Sequence, residues 1–383
     1  MKITDIRTLC LSRPHEKERQ WATAGVVVPK ADCAIVIIDT DEGLQGLGEP
    51  SAYGTPPAIR QRVDELKADL IGKDPAELSL PWPEAGARTD AVPLAGIDCA
   101  LWDLRGKIAG KRSRELLTGP DQVPLDRVRL YASAGVDYDW ENRPESVVDE
   151  ATRLAERGFT AFKMRIGTEW TWAGVTAERL VELLRKVTDA VGQRLDLMLD
   201  GNCRLDEEQA LHIGKALDEM GWYWFEEPIP GAQIEGYARL NEALDIPVTG
   251  GESMHCQEQV EPYLEQKAYA IVQADAGVCG VSEGRRIGLR AHEFGVPHCP
   301  HNWHNGLMTM ANAALVAAHP APRVLELNMV QGPLQWEILA EPPHIEDGHL
   351  ILPDKPGYGV ELAADLEERF PYIDGPWAER VER

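Results

Sequence analysis

Short apolar runs recur along residues 159 to 326, and each one ends in an ionisable residue. The run-ending residues are Lys163, Asp200, Glu226, Glu252, Asp275, His301 and Glu326. From Asp200 onward they follow one another at intervals of 23 to 26 residues, which is about the length of a strand and its crossover helix. The pattern predicts a protein of the α/β class, with a modified TIM barrel of (β/α)7β type whose active site lies at the carboxyl ends of the strands.

The composition of these runs favours strands that are buried on both faces. The runs 195–199, 222–225, 246–249 and 269–272 are short and rich in aliphatic, β-branched or aromatic residues. Segments with helical periodicity lie before, between and after these runs. The predicted helices are 144–157, 176–191, 206–220, 257–267, 282–294 and 306–318. An acidic residue after a strand is often only a helix N-cap. Carboxylates at three consecutive strand ends favour a functional site instead.

The residues before the barrel predict a separate α+β capping domain over 1–124. It has strands at 3–12, 31–39 and from 46, helices at 57–71 and 93–109, and a polar, irregular loop at 13–30. The barrel domain is expected over 125–335. No good eighth helix follows Glu326, so we expect residues 336–383 to return to the cap and complete it.

Composition narrows the functional classes. The chain has 383 residues, 44% of them apolar, which suits two domains with packed cores. Its net charge of −24 argues against a nucleic-acid partner. No run is long enough to cross a membrane and no secretory signal is present. Seven scattered cysteines without a Cys-x-x-Cys pair favour a reducing compartment, so we expect a cytoplasmic protein.

Three of the run-ending carboxylates suit a divalent cation. Asp200, Glu226 and Glu252 offer only oxygen ligands, which Mg²⁺ prefers and zinc does not. Glu227 is expected to point away and to serve structurally. Asp275, one strand before His301, would orient that imidazole as a general base.

The histidine spacing around His301 permits a second interpretation. His298 and His304 flank it in a His-x-x-His-x-x-His arrangement, which invites a zinc site. That spacing converges poorly on a strand-to-loop segment, so we disfavour zinc here.

Several motifs give the chain a more specific resemblance. They are Lys163-Met-Arg165, Trp224-Phe-Glu-Glu-Pro228, Gly250-Gly-Glu252, Gln273-Ala-Asp275, Pro300-His-Asn-Trp303 and Pro353-Asp-Lys-Pro-Gly357. Over essentially its whole length the chain resembles the mandelate racemase subgroup of the enolase superfamily. The resemblance implies Mg²⁺ as cofactor, a small carboxylate substrate and, as is common in this family, a homo-oligomer.

The resemblance also implies residue roles. The substrate carboxylate would chelate Mg²⁺, which lowers the cost of removing the α-proton to give an enediolate. Lys163 would assist electrostatically, His301 with Asp275 would act as base or acid, and Glu326 would be a protonated acid that donates a hydrogen bond to the intermediate.

One position departs from the family pattern. Arg165 stands where the subgroup usually has a lysine base, and arginine is a poor base. A one-base reaction is therefore favoured, the dehydration of an acid sugar to a 2-keto-3-deoxy acid. Arg165, Asn202 and Trp21 are expected to bind substrate. An epimerase or racemase, a lactone cycloisomerase and a non-catalytic relative remain alternatives.

Overall fold

The structure is a computed structural model that describes residues 1–17, 20–23, 26–52, 55–83, 88–136, 140–166, 174–330 and 332–380. The predicted loop 13–30 therefore lies partly outside the described residues. Among the described residues, none of the helices combines the length and the apolar character required to span a membrane.

Short strands and longer helices alternate through the second part of the chain. The strands are β1 Ile3–Pro14, β2 Trp21–Thr23, β3 Val26–Val28, β4 Lys30–Thr40, β5 Gln45–Gly48, β6 Arg127–Ser133, β7 Ala161–Arg165, β8 Asp196–Asp200, β9 Trp224–Glu226, β10 Val248–Gly250, β11 Ile271–Val272, β12 Val324–Asn328, β13 Ile345–Glu346, β14 His349–Ile351 and β15 Glu379–Arg380. The helices are α1 Pro56–Leu70, α2 Arg88–Ala109, α3 Ser113–Leu117, α4 Ser146–Glu156, α5 Ala177–Val191, α6 Glu207–Met220, α7 Ile234–Ala243, α8 Gln257–Glu265, α9 Ala276–Glu293, α10 Gly306–Ala318, α11 Pro333–Trp336 and α12 Leu366–Arg369.

The parallel strands form a closed barrel, as predicted. Strands β6 to β11 pair with their neighbours in chain order, and β12 returns to pair in parallel with β6 from Val324–Arg129 to Asn328–Ser133. The seventh strand of the barrel is shorter than predicted. The residues before His301 form only an isolated parallel bridge, between Val272 and His298. Pro297 lies next to this bridge, and its missing amide shortens the ladder.

Local sequence explains where the helices around the barrel begin and end. Asp206 accepts a hydrogen bond from the backbone amide of Gln209 at the start of α6, and Gly221 ends that helix with φ +71°. The helix predicted from residue 282 instead begins at Ala276, because Asp275 caps it through the amide of Gly277. Gly280, with φ +68°, puts a kink inside this helix and hides its first turns from a periodicity argument.

The cap is an antiparallel sheet, β1-β4-β5, covered by α1 and α2. The prediction of an irregular loop over 13–30 was wrong in part. Its described residues contain the hairpin formed by β2 and β3, and the chain returns far downstream to add β15 as a third strand. Strands of three residues carry too little periodicity to be recognised, and the edge partner lies about 350 residues away in sequence.

Buried polar contacts dock the cap and the tail on the barrel. The Glu49 carboxylate accepts hydrogen bonds from the backbone amides of Asn305 and Met308 at the start of α10. Asp98 on α2 accepts from the amide and hydroxyl of Ser282 on α9. In the tail, the Tyr358 hydroxyl donates to the carbonyl of Cys99 on α2. The tail thus returns to the cap, while the exact limits of the three predicted segments stay a prediction.

Candidate active site

A buried lysine stands at the centre of the barrel mouth. Lys163 on β7 pairs with the carboxylate of Glu226 on β9 and lies 3.1 Å from Oε1 of Glu326 on β12. Burial by itself would lower the pKa of Lys163, but the carboxylates of Glu226, Glu326 and Asp200 outweigh it and raise that pKa above its usual value. The surrounding carboxylates thus favour the charged form of Lys163, and its electrostatic role stays a prediction.

Asp200, Glu226 and Glu252 lie at the ends of neighbouring strands. Asp200 is the direct register partner of Glu226, and Glu252 follows β10, the next strand around the barrel. Burial raises the pKa of Asp200. The negative charge of Glu252 adds to this rise, and the positive charges of Lys163 and Arg165 oppose it. Burial also raises the pKa of Glu226 to about 7, against the pull of Lys163 and with help from the neighbouring carboxylates. Neighbouring carboxyl groups are thus crowded together at a largely buried site.

These three carboxylates fit a magnesium ion by donor type and by charge. They offer oxygen atoms only, and their mutual repulsion is the field that a divalent cation relieves. One oxygen of Glu226 is paired with Lys163. Among the described residues, the potential ligand atoms that converge within 4.8 Å of one another belong to a different group, Asp275, His301 and His304.

Three neutral side chains fix the orientation of Glu226. Its Oε2 accepts a hydrogen bond of 2.7 Å from the Gln273 side-chain amide and one of 3.1 Å from the Trp224 indole. The hydroxyl of Thr249 in turn donates to Oε1 of Gln273 at 2.6 Å. This buried chain of hydrogen bonds leaves Oε1 of Glu226 as the oxygen that faces Lys163.

The group around Asp275 is a hydrogen-bonded cluster. Its Oδ2 lies 2.9 Å from Nδ1 of His301 and 2.6 Å from Nε2 of His304. Burial would raise the pKa of Asp275, but His304 and His301 outweigh burial and hold that pKa well below its usual value. His298 faces away and bonds the carbonyl of Ala274, so the three histidines do not converge on one ion. The disfavoured zinc interpretation gains no support from this geometry.

His301 faces the carboxylates through its other nitrogen. Its Nε2 lies 3.6 Å from Oε2 of Glu252. Burial lowers the pKa of His301, but Glu252, Glu326 and Asp275 prevail and raise it to about 10. The carboxylates thus favour the imidazolium form of His301, and a cation among them would weaken the field that favours this form.

Glu326, which the family resemblance implies to be a protonated acid, lies between a backbone donor and two cationic side chains. It accepts a hydrogen bond of 2.6 Å from the backbone amide of Asn302 and faces both Lys163 and His301. Burial would raise its pKa, but Lys163 and His301 overcome burial and lower it to about 2. The two cationic neighbours thus favour the carboxylate form of Glu326, and its role as a protonated acid toward the intermediate stays a prediction.

Arg165 and Trp21 lie together at the side of the mouth. The guanidinium carbon of Arg165 is 4.1 Å from the ring centre of Trp303 and 5.6 Å from that of Trp21. Its Nε lies 3.7 Å from Oδ2 of Asp200. Asn202 holds both oxygens of Asp200, through its backbone amide and its side-chain amide. The substrate-binding roles of Arg165, Trp21 and Asn202 stay predictions.

Sequence reasoning did not assign roles to several residues that shape this site. Trp303 stacks on Arg165, His304 shares Asp275 with His301, and Gln273 holds Glu226. Trp303 and Gln273 stood inside motifs that were noted, yet a motif does not tell which way a side chain points. Glu227, expected to be structural, has φ +35° and contacts the Cys203 thiol; burial and Glu252 help raise its pKa to about 8.

Family comparisons agree with this architecture over both domains. Residues 6–118 match the mandelate racemase / muconate lactonizing enzyme N-terminal domain, and residues 146–366 match the enolase C-terminal domain-like family. The chain belongs to the mandelate racemase / muconate lactonizing enzyme family. This membership confirms the resemblance and the fold class predicted from the sequence.

Three relatives show the range of activities named within this family. The arabinonate dehydratase of Saccharolobus solfataricus is 30% identical over 380 residues, covering 96% of this chain and 99% of that protein. The D-galactarolactone cycloisomerase of Agrobacterium fabrum is 32% identical and covers 98% and 100%. The solved structure of the 3,6-anhydro-D-galactonate cycloisomerase from Zobellia galactanivorans superposes with a TM-score of 0.83 at 26% identity, covering 98% and 100%. The named dehydratases among its relatives bear out the prediction of an enzyme of the hydro-lyase kind.

Proposed function

We propose that this chain dehydrates a sugar acid to a 2-keto-3-deoxy acid, with His301 as the proton carrier. The observation that carries the proposal is the asymmetry of the mouth. An imidazole paired with Asp275 stands on one side, and Arg165, which cannot act as a base at neutral pH, stands where a second base would be needed. One base is sufficient for dehydration but not for a two-base racemisation.

The reaction balances with this single group. His301 in its neutral form takes the proton from the α-carbon, and the C–H electron pair moves into the carboxylate as an enediolate. The same ring, now an imidazolium, gives that proton to the β-hydroxyl, the C–O bond breaks and water leaves. The resulting enol gains a proton from solvent at C3 and loses the proton of its C2 hydroxyl, which gives the 2-keto-3-deoxy acid with C3 as its methylene carbon.

Charged side chains would support the developing negative charge. Asp200, Glu226 and Glu252 would hold Mg²⁺, which when bound makes the α-proton more acidic by stabilising negative charge on the substrate carboxylate. The buried ammonium group of Lys163 lies next to Glu226 and Glu326, and its positive charge would add to this stabilisation. Arg165, which lies over the ring of Trp303 and near that of Trp21, would bind a carboxylate or hydroxyl of the substrate.

The cycloisomerisation of a sugar lactone is the second candidate. The relative from Agrobacterium fabrum is named for that reaction and covers 98% of this chain. The same enediolate would form, and the difference would be whether a hydroxyl leaves as water or a ring oxygen is expelled. The absence of nucleic-acid and membrane partners, the cytoplasmic location and the homo-oligomer stay predictions.

A panel of mono- and diacid sugars with Mg²⁺ in D₂O, followed by proton NMR, tests the proposal. We expect a 2-keto-3-deoxy product from one or a few acids, with signals for a new methylene group carrying deuterium. Exchange or inversion at the α-carbon without loss of hydroxyl would instead establish an epimerase. Turnover confined to lactones would establish the cycloisomerase, and inertness across both panels would favour a non-catalytic relative.

A further inference from the structure

A cavity of about 290 Å³ lies outside the barrel wall. It opens to the surface and is lined by residues of α9, of α10 and of the segment 117–122 at the end of α3. Its floor includes the apolar side chains of Leu117, Leu315 and Ala318, and two of its polar groups belong to His298 and Arg285. The volume suits a small metabolite, since ligand pockets in proteins begin at about 300 Å³.

His298 is a buried histidine that the proposed reaction does not use. Its side chain is 4% exposed, and its Nε2 lies 2.8 Å from the carbonyl oxygen of Ala274, to which it donates. Burial lowers the pKa of His298 to about 4, so the ring is neutral. A neutral ring with its proton on Nε2 keeps Nδ1 as a hydrogen-bond acceptor.

The acceptor atom of His298 borders the cavity beside a glycine. A Cβ atom added at Gly288 would lie 2.7 Å from Nδ1, so only glycine leaves this nitrogen its space. Both Gly288 and His298 line the cavity. Across the described ranges of the chain, no donor to Nδ1 is found, so this nitrogen remains as an acceptor that borders the cavity.

Arg285 supplies a positive charge at the same cavity. Its Nε donates to the carbonyl of Leu117 at 2.7 Å, and no carboxylate of the described residues pairs with its guanidinium. The next residue, Arg286, points elsewhere and pairs with Glu283 and Glu258. Asp121 also lines the cavity, so its charges are one guanidinium without an ion-pair partner among the described residues and one carboxylate, and Arg285 is the group there that can bind a single carboxylate.

We propose that this cavity binds a small hydroxy carboxylic acid, with the carboxylate against Arg285, the hydroxyl donated to Nδ1 of His298 and the carbon chain on Leu117 and Leu315. A single cation suits a monoanion better than a phosphate. A metal ion is a poor fit, since both nitrogens of the adjacent His319 are already bonded, to the carbonyl of Gly288 and the amide of Ala321.

This site is separate from the barrel mouth, and it does not depend on the proposed function. The hydrogen bond from His298 to Ala274 joins the two places, because Ala274 precedes Asp275 in the chain and His298 precedes His301 by three residues. An occupant of the cavity would therefore contact the outer side of the segments that carry the Asp275–His301 pair. That position is suitable for an effector, not for a substrate.

The test uses (R)-3-hydroxybutyrate as the probe, titrated against the intact protein in EDTA and followed by ligand-observed NMR. We expect saturable binding that Arg285→Gln weakens at least about tenfold, since hydrogen bonds to charged groups contribute that much. Arg286→Gln is the matched control and should bind the probe as the unchanged protein does. Butyrate, which lacks the hydroxyl, should bind more weakly.

Two further variants keep the proposal falsifiable if Arg285→Gln folds poorly. Ala318→Leu places added side-chain volume in the cavity and should abolish binding, while Asp200→Asn, at the barrel mouth, should leave it unchanged. Loss of binding in Asp200→Asn with retention in Ala318→Leu would show that the probe occupies the mouth and would overturn the proposal. Absence of saturable binding to the unchanged protein would overturn it as well.

Discussion

At the scale of single residues, the guanidinium of Arg165 is the group that sets this chain apart. It lies 4.1 Å from the ring centre of Trp303, 5.6 Å from that of Trp21 and beside Asp200. A planar cation can stack on a ring and bond a carboxylate in its own plane at the same time. Lysine offers a compact charge without that plane, so the two residues are not equivalent at this position.

We expect Arg165→Lys to lower kcat/KM for dehydration about tenfold, the loss of roughly 1.4 kcal/mol of stacking and bidentate contact. Steady-state kinetics on the substrate found in the sugar panel would measure it. Arg179→Lys is a matched control, because Arg179 stacks on Trp140 at 5.2 Å outside the site. Unchanged kcat/KM in Arg165→Lys would mean that the stack does not bind substrate. New α-proton exchange would show that a second base had been restored.

His301→Asn should lower kcat by about 10² to 10⁴, the usual contribution of a positioned acid or base. The amide keeps much of the size of the ring and removes its titrating nitrogen, so Mg²⁺ binding should persist. Turnover and calorimetric Mg²⁺ titration would check the two statements. His212→Asn, at an exposed position, serves as the control. Retained turnover would remove His301 from the role of proton carrier.

The residues that the sequence could identify were those whose position alone defines them. Asp200 and Glu226 stand at strand ends and Asp275 just beyond one, and strand ends are set by a local apolar pattern. Glu326 lies in the middle of β12 instead. Its position beside Lys163 and His301 could not be anticipated in this way, because these residues approach only after the barrel closes.

At the scale of elements, the contact between the cap and α10 depends on one buried carboxylate. Glu49, which follows β5, accepts hydrogen bonds from the amides of Asn305 and Met308 and from the side chain of Asn305. Backbone amides at the start of a helix need acceptors, and here the cap provides them to the barrel. This contact holds the segment that carries His304 against the cap.

We expect Glu49→Gln to lower the free energy of unfolding by about 1–3 kcal/mol, because its amide group would turn a donor toward backbone donors. Urea unfolding followed by circular dichroism would measure the change. Glu42→Gln, whose side chain is 62% exposed, is the control and should leave the midpoint in place. Equal midpoints for both variants would mean that the cap does not depend on this carboxylate.

Elements were predictable in proportion to their length and amphipathicity. The helix over 306–318 begins and ends where the sequence indicated. The hairpin of β2 and β3 was not predictable, because its stability derives from β15 and from the packing of Trp21 on Trp377, 6.3 Å between ring centres. Contacts of such long range leave no local pattern in the chain.

At the scale of the whole molecule, the concentrated negative charge predicts a metal-dependent stability. Mg²⁺ that binds only the folded chain should stabilise it by about 2.7 kcal/mol at a hundredfold excess over its Kd. Thermal unfolding in rising MgCl₂ would show this, against NaCl of equal ionic strength to account for screening of the net charge of −24.

Asp200→Asn should remove the specific part of this stabilisation. Asp245→Asn, at an exposed position, should not. If both variants respond to Mg²⁺ as the unchanged protein does, the trio of carboxylates is not the magnesium site.

The bridge that replaces the seventh strand bears on the order in which the chain folds. Strands β6 to β11 can assemble one after another as near neighbours, whereas closure requires β12 to find β6, about 200 residues earlier. Joining such distant segments carries the largest loop entropy, so we expect ring closure to be the late and slow event. His301 lies at this junction, next to the bridge at His298. Catalytic competence would then appear only when the last segment of the ring is in place, and partly closed chains would be inactive even with most of their helices formed.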